Sequence, residues 1–200
     1  MSKVELLLPK ILKWEGGFVN DPADSGGATN KGVTLATYRK WCKLHKMPIP
    51  TVNDLKAISN DTVLAILKEF YWDKMQGDLI KNQSIANLCV NTLWGSGTGY
   101  IKTIQGVLKV QQDGIVGPVT LAKLNGWKPQ SDIFNRLWHR RQKFFLDIVD
   151  SSVEEYERKI GRKATESELM RYTKKRFLKG WLNRLNDFQF YSQEWYLYIS

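Results

Sequence analysis

Apolar residues recur at the spacing of an α-helix along most of this 200-residue chain, and this pattern constrains the fold more than any other sequence feature. Glycine, proline and asparagine interrupt the pattern and mark where helices begin and end. The first helical segment runs to Trp14 and contains Pro9, which either kinks the helix or marks its true start. Further helices are predicted at 35–44, 61–71, 84–94, 101–110, 118–124, 131–149, 153–160 and 165–185. The sequence therefore predicts a mainly α fold, in a chain long enough to bury a core without disulfides or metals.

Residues 20–34 interrupt the helical pattern with a dense group of asparagine, aspartate, glycine and proline, in the order NDPADSGGATNKGVT. These residue types favour turns and disfavour regular helix. We expect a shaped loop here that contains at most a short hairpin.

The formal net charge of +10 indicates a polyanionic partner, because a summed positive field concentrates anionic polymers at the surface. Nucleic acid, an anionic membrane and the acidic bacterial wall are all compatible with the charge alone. The basic residues are spread along the chain without a helix-turn-helix or RNA-binding signature, so nucleic acid is not expected. No stretch approaches the roughly 20 apolar residues that span a bilayer, so stable membrane insertion is not expected either.

Metal ligation and disulfide bonding are not expected. Cys42 and Cys89 lie among apolar or aromatic neighbours and are predicted to be buried free thiols. His45 and His139 are far apart in sequence and lack the spacing of metal ligands. We therefore predict no metal and no cofactor, and we expect a monomer.

Glu15 is the first candidate for a chemical role, because it follows the first helical segment and lies between Trp14 and two glycines, with Phe18 close behind. The negative end of a helix dipole disfavours a carboxylate, and aromatic neighbours would remove water from it. Both influences favour the protonated form that a general acid needs. An ordinary glutamate at a helix end is the alternative interpretation.

Cleavage of a glycosidic bond needs a proton donor and a second group that positions water or stabilises the opposite face of the sugar. Asp24 is the leading candidate for this second group, since the short loop can return it to face Glu15, and Asp21 competes for the role. Both aspartates could instead serve the turn itself. Thr29 could hold a water molecule or satisfy the loop backbone.

The stretch from Trp14 to Thr34, WEGGFVNDPADSGGATNKGVT, closely resembles the opening motif of the glycoside hydrolase family 108 N-acetylmuramidases. The resemblance extends through Tyr71-Trp72 and Asn91 and covers roughly the first half of the chain. It implies a lysozyme-like helical fold, and it implies that Glu15 is catalytic. The spacing of Glu15, Asp24 and Thr29 is also loosely similar to the Glu, Asp and Thr set of certain phage lysozymes.

The second half of the chain resembles helical peptidoglycan-binding domains. Gln105 and the run from Asp113 to Thr120 look like their Asp-Gly-x-x-Gly-x-x-Thr signature, although Asp-Gly turns before helices also occur for structural reasons. The run from Phe177 to Arg184 resembles the C-terminal Gly-Trp-x-x-Arg of the muramidase family. We therefore predict a lysozyme-like catalytic region at 1–95 and a peptidoglycan-binding-like region at 96–200, packed together as one globule.

Asp21, Trp72 and Asn91 are the candidates for substrate binding. Exposed aromatic rings bind sugars, but most aromatics that end an amphipathic helix belong to the core, and Trp72 fits either interpretation. Asn91 could contact sugar amides or pack a helix.

These residues together predict a peptidoglycan hydrolase of the muramidase type, a bacteriolytic endolysin-like enzyme that cuts the glycan by general acid catalysis from Glu15. A non-catalytic peptidoglycan-binding module is the alternative, and lytic transglycosylation is a variant of the first hypothesis. The N-terminus has no small-residue cleavage site, so we expect no signal peptide. The protein would then be made in the cytoplasm and act on the cell wall after export or holin-type release.

Overall fold

The computed structural model describes residues 1–20 and 27–192. Within these residues the fold is mainly α and lysozyme-like, as the sequence predicted, with one short antiparallel hairpin. The α-helices are α1 Leu8–Trp14, α2 Leu35–Leu44, α3 Val52–Lys56, α4 Asn60–Leu67, α5 Gln83–Ser96, α6 Ile101–Leu108, α7 Pro118–Gly126, α8 Gln130–Ile160, α9 Glu166–Tyr172 and α10 Lys175–Asn186. Single helical turns of other types occupy Val4–Leu6, Lys68–Trp72, Gly77–Leu79 and Thr98–Tyr100.

The hairpin consists of β1 (Thr29–Asn30) and β2 (Val33–Thr34) and lies in the loop where the sequence allowed at most a short one. Lys31 and Gly32 form its two-residue turn with φ angles of 50° and 77°. Positive φ at both central positions is typical of the turn that suits the right-handed twist of a tight hairpin. The buried Asn30 amide donates to the carbonyls of Leu55 and Lys56 and so ties the hairpin to α3.

Pro9 marks a helix start rather than a kink, because it occupies the first turn of α1, where its missing N–H costs nothing. Ser2 and Glu5 do not form the capping box that their spacing suggests; the Ser2 hydroxyl is buried and donates to the carbonyl of Ile80. Thr165 and Glu168, by contrast, form a complete capping box at the start of α9.

Two predicted boundaries near the C-terminus are wrong. The helices expected at 131–149 and 153–160 are one continuous 31-residue helix, α8. The single helix expected at 165–185 is two, α9 and α10, separated at Thr173, whose backbone is extended.

Helix α5 is the centre of the core, and its residues from Gln83 to Leu93 are all buried. The main apolar cluster joins α5 to both ends of the chain: it includes Ile11 from α1, Phe145 from α8 and Leu185 from α10. The predicted boundary near residue 95 therefore separates segments that share one core, and the division into two domains stays a prediction. No helix among the described residues is long and apolar enough to cross a membrane.

The Asp-Gly-x-x-Gly-x-x-Thr segment is held by the buried side chain of Gln105. Its amide nitrogen donates to Asp113 Oδ1 at 2.7 Å and to the carbonyl of Ile115 at 3.0 Å, and its amide oxygen accepts the N–H of Gly114 at 2.8 Å. The N–H of Ile115 and the amide of Gln105 hold the pKa of Asp113 below its usual value. These bonds give the signature residues a structural role in fixing the turn before α7.

Asp187, directly after α10, fastens this helix to α1. Its carboxylate accepts Lys13 Nζ at 2.7 Å and Trp14 Nε1 at 2.6 Å. Burial by itself would raise the pKa of Asp187, but the hydrogen bonds from Lys13 and Trp14 more than offset this and lower it. The ionised carboxylate thus holds α10 against the end of α1.

We expect Asp187→Asn to reduce the free energy of unfolding by about 1–2 kcal/mol at neutral pH, because a hydrogen-bonded charge is lost. A carboxyl whose pKa is lower in the folded state stabilises fully above its unfolded pKa of about 3.9, and this contribution is lost as the pH falls through the folded value. Urea unfolding of both proteins should therefore differ at pH 7 and converge at about pH 2. Asp147→Asn, in an exposed pair with Lys143, is the control and should change little. A difference that stays constant with pH would contradict this account.

Candidate active site

Glu15 is the first residue after α1, where the chain leaves the helix in an extended conformation. Its N–H still donates to the carbonyl of Ile11 at 3.1 Å, which fixes the backbone at this position. The side chain is mostly buried, with 18% of its surface exposed. The last turn of α1 therefore sets the direction in which the Glu15 carboxyl points.

Two donors from distant elements hold the Glu15 carboxyl. Trp94 Nε1, on α5, donates to Oε1 at 2.9 Å, and Arg184 Nη1, on α10, donates to the same oxygen at 2.6 Å. The ring of Tyr71 packs against the Trp94 indole with centroids 5.0 Å apart. In the described part of the chain the two donors both contact Oε1, so this oxygen fixes the orientation of the carboxyl.

Arg184 is itself oriented by Asn91. The Asn91 side-chain oxygen accepts Arg184 Nε at 3.1 Å and Nη2 at 2.8 Å, so the three nitrogen atoms of the guanidinium are all engaged. Asn91 is buried on α5, one helical turn before Trp94. Helix α5 therefore positions both donors to Glu15, one directly and one through an amide.

The hairpin turn closes over this carboxyl at Gly32. A Cβ at Gly32 would lie 2.6 Å from Glu15 Cδ and 2.7 Å from Trp94 Nε1, which no side chain can tolerate without displacing them. Gly32 also has a φ of 77°, in the left-handed region that favours glycine. Two independent constraints thus require glycine where the turn contacts Glu15.

The Glu15 carboxyl lines a cavity of about 300 Å³. Its walls come from α1, the hairpin turn, the end of α5, α8 and α10; the lining residues are Glu15, Gly32, Asn91, Trp94, Gly95, Ser96, Arg141, Phe144, Phe145, Ile148, Trp181, Arg184 and Leu185. Among the described residues of this lining, the charged groups are one carboxylate, Glu15, and two guanidiniums, Arg141 and Arg184.

Arg141 is the second cation of the cavity and is only 5% exposed. Its guanidinium carbon lies 4.3 Å from the ring centre of Phe145, 5.1 Å from that of Phe144 and 5.2 Å from that of Tyr100. Its Nη1 donates to Ser96 Oγ at 2.7 Å. Burial lowers the pKa of Arg141 to about 10, so it remains a cation at neutral pH.

The structure brings together only part of the predicted site. Asp21 and Asp24 lie outside the described residues. Thr29 is half-buried in β1, its hydroxyl donates to the carbonyl of Gly27 at 3.4 Å, and it is not among the residues that line the cavity. Asn91 does line the cavity, but its side-chain oxygen is occupied by Arg184, so a direct sugar contact stays a prediction.

The position of Trp72 contradicts the predicted sugar contact. Its ring is fully buried in the core, and its Nε1 donates to Asp78 Oδ1 at 2.8 Å. The aromatic residue that ends this helical segment packs as core, which was the alternative interpretation of the sequence. The neighbouring Tyr71 lies closer to the site, through its contact with Trp94.

The electrostatic surroundings of Glu15 also differ from the sequence-based expectation. The sequence-based argument considered the helix end and the aromatic neighbours, but it did not include the Arg184 guanidinium, which contacts the Glu15 carboxyl at 2.6 Å. Trp94, Arg141 and Gly32 were likewise missed. Of these site residues, only Arg184 had a signal in the sequence, since it ends the Gly-Trp-x-x-Arg run.

In the part of the chain that the structure describes, no group of three histidine, cysteine or acidic side chains could hold a metal ion.

Within the described residues, a lysozyme-like helical fold presents the Glu15 carboxyl, fixed by an indole and a guanidinium, inside a cleft, and a carboxyl so placed can supply one of the two groups that glycoside hydrolysis uses. Comparison with known proteins agrees. Residues 8–97 match the model of the glycosyl hydrolase 108 family, and residues 100–186 match that of the predicted peptidoglycan domain. The solved structure of Brucella abortus SagA is similar to this chain with 26% sequence identity and a TM-score of 0.66, over 92% of this chain and 90% of that one. No curated protein matches the chain. These similarities support a glycoside hydrolase that acts on peptidoglycan.

Proposed function

We propose that this protein is an N-acetylmuramidase that hydrolyses the bond between N-acetylmuramic acid and N-acetylglucosamine, with Glu15 as the proton donor. The observation that carries the proposal is the Glu15 carboxyl, fixed through Oε1 by Trp94 and Arg184 in the wall of a cavity of about 300 Å³. That volume is at the lower end of the range for ligand pockets and suits one sugar unit of a strand.

Fixing Oε1 prepares Glu15 for proton transfer. Trp94 and Arg184 restrict the carboxyl to one orientation, so that little reorganisation is needed when a glycosidic oxygen approaches Oε2. When Glu15 gives up its proton it becomes a carboxylate, and the guanidinium of Arg184 at 2.6 Å stabilises that charge. Arg184 thus acts as a positioning residue that favours the state of Glu15 after proton transfer.

The opposite face of the sugar needs a group that positions water or stabilises the positive charge on the reacting carbon. We assign this role to Asp24, with Asp21 as the competing residue and Thr29 as a possible holder of the water. The net charge of +10 favours contact with an anionic wall. We also propose that the protein acts as a monomer and reaches the wall after export or holin-type release.

We expect Asp24→Asn to lower kcat by at least about tenfold with little change in KM, because a group that faces the reacting carbon acts mainly in the transition state. Asp21→Asn serves as the matched control, since it removes the same charge from the same loop. Steady-state cleavage of purified glycan strands would measure both. Equal, small effects at the two positions would return Asp24 to the role of a turn residue.

Product analysis tests the proposed activity directly. Purified peptidoglycan is digested in ¹⁸O-labelled water and the fragments are identified by mass spectrometry. A muramidase gives muramic acid at the new reducing end with one labelled oxygen. An anhydromuramic acid end without label would instead show transglycosylation, reducing-end glucosamine would show cleavage of the other bond, and unchanged strands that sediment with the protein would show a binding module.

A further inference from the structure

The cavity beside Glu15 contains a second guanidinium that the proposed chemistry does not use. Arg141 is 95% buried and lines the same cavity as Glu15 and Arg184. Arg184 has its partners within the protein, since it donates to Glu15 Oε1 at 2.6 Å and to Asn91 Oδ1. Arg141 forms no ion pair with any carboxylate in residues 1–20 and 27–192, and its Nε has no hydrogen-bond partner there.

A buried charge without a counterion is costly, so its position requires an explanation. The three aromatic rings around Arg141 offset part of the cost by cation–π attraction, and Ser96 Oγ accepts one N–H. These partners are neutral, so no carboxylate of the described residues compensates the positive charge. A guanidinium that is held rigidly between rings in the wall of a cavity is suited to receive a carboxylate through charge-assisted hydrogen bonds from its remaining N–H groups.

The two alternating sugars of peptidoglycan differ in this chemistry. N-acetylglucosamine is neutral, whereas N-acetylmuramic acid carries an O3-lactyl group that ends in a carboxyl or continues into a peptide with carboxyls of its own. A cation fixed in the same cavity as the proton donor can therefore distinguish which sugar occupies that cavity.

We infer that Arg141 binds a carboxylate carried by the muramic acid unit and thereby selects the bond that Glu15 protonates. The inference rests on the proposed function and names a specificity-determining residue for it. Arg184 does not serve this purpose, because its nitrogen atoms are engaged by Glu15 and Asn91. The carboxylate comes either from the lactyl group of a peptide-free strand or from the attached peptide, and the substrates below separate these two sources.

The test compares glycan oligosaccharides in matched pairs, with carboxyls free or converted to neutral methylamides. One pair is peptide-free and the other carries the peptide. Wild type should cleave the free-carboxyl member of one pair with a kcat/KM about 10- to 100-fold higher than its methylamide, the range expected for one hydrogen-bonded charge. If wild type prefers the free carboxyl in the peptide-free pair, the lactyl carboxylate is the group bound. If it prefers the free carboxyl only in the peptide-carrying pair, the group bound is a carboxylate of the peptide.

Arg141→Met keeps an unbranched apolar stem against the rings and should reduce the preference to less than about twofold by removing the charge-assisted bond. Arg141→Lys keeps the charge without the planar fork and should give an intermediate preference. Arg136→Met removes an exposed charge from the same helix and should keep the full preference. Equal rates on both members of each pair by wild type, or an unchanged preference in both Arg141 variants, would overturn the inference.

Binding separates this inference from the proposed function. Titration of Glu15→Gln with the same oligosaccharides, followed by the fluorescence of the cavity tryptophans Trp94 and Trp181, reports affinity without turnover. A carboxylate preference in binding without any cleavage by wild type would leave Arg141 as the carboxylate-binding residue and refute the hydrolase proposal. Cleavage by wild type without a carboxylate preference would support the hydrolase proposal and refute the inference about Arg141.

Discussion

Replacement of Glu15 by glutamine is expected to lower the rate of glycan cleavage by about 10²–10⁴-fold, the usual loss when a general acid is removed. Glutamine has the size of glutamate and keeps a side-chain oxygen for Trp94 Nε1 and Arg184 Nη1, so both donors retain their acceptor. What it lacks is a transferable proton. Release of reducing ends from purified peptidoglycan measures the loss, and thermal unfolding shows whether the fold is kept.

Glu154→Gln is the matched control, since it removes one carboxylate from an exposed position on α8. It should clear a suspension of cell walls at the wild-type rate. Near-wild-type activity in a folded Glu15→Gln protein would remove Glu15 from the chemistry and leave the peptidoglycan-binding module as the remaining hypothesis.

Gly32→Ala should reduce activity by about 10²-fold through a single methyl group, because displacement of a catalytic group by roughly 1 Å has effects of this size. The new Cβ would stand 2.6 Å from Glu15 Cδ and 2.7 Å from Trp94 Nε1, so the carboxyl, the indole or the hairpin turn must move. The left-handed backbone at this position adds strain of about 1–2 kcal/mol. Overpacking adds about 1–3 kcal/mol to this strain, so we expect the free energy of unfolding to fall by about 2–5 kcal/mol in a protein whose kcat is also lowered.

Gly161→Ala separates the effect of backbone strain from the effect of a Cβ that displaces the Glu15 carboxyl. Gly161 has a φ of 71° at the end of α8, and a Cβ there would meet no atom within 4 Å. It should show the backbone strain alone, with wild-type kcat. Comparable activity losses in the two variants would mean that instability, and not displacement of the Glu15 carboxyl, explains the effect at Gly32.

The helical class of this protein could be predicted from sequence because spacing and capping are local properties. The Thr165–Glu168 capping box and the stop at Gly161 both act within a few residues. The break expected after Val149 did not occur: α8 continues through this point, and the Ser152 hydroxyl donates to the carbonyl of Val149 within the helix. The same hydroxyl accepts the N–H of Lys174, a long-range contact that spacing could not indicate.

The residues of the candidate site also fall into two groups, those that the local sequence indicates and those that only the tertiary fold brings to the site. Glu15 could be found because its motif is contiguous, whereas the Arg184 cation that pairs with it lies 169 residues away. Trp94 could not be found because nothing in its local sequence distinguishes it from a core residue. Arg141 is invisible to sequence reasoning for the same reason: a basic residue on an amphipathic helix is normally exposed, and only tertiary packing buries this one.

Because residues from both halves of the chain line one cleft, replacing either half by that of another protein would change the cleft. A recombination event between residues 97 and 100 would deliver Glu15 and Trp94 without Arg141 and Arg184, and the acid would lose both the cation that orients it and one wall of its cavity. Point substitutions along α8 and α10 would therefore change the lining of this cleft while Glu15 and Trp94 stay in place.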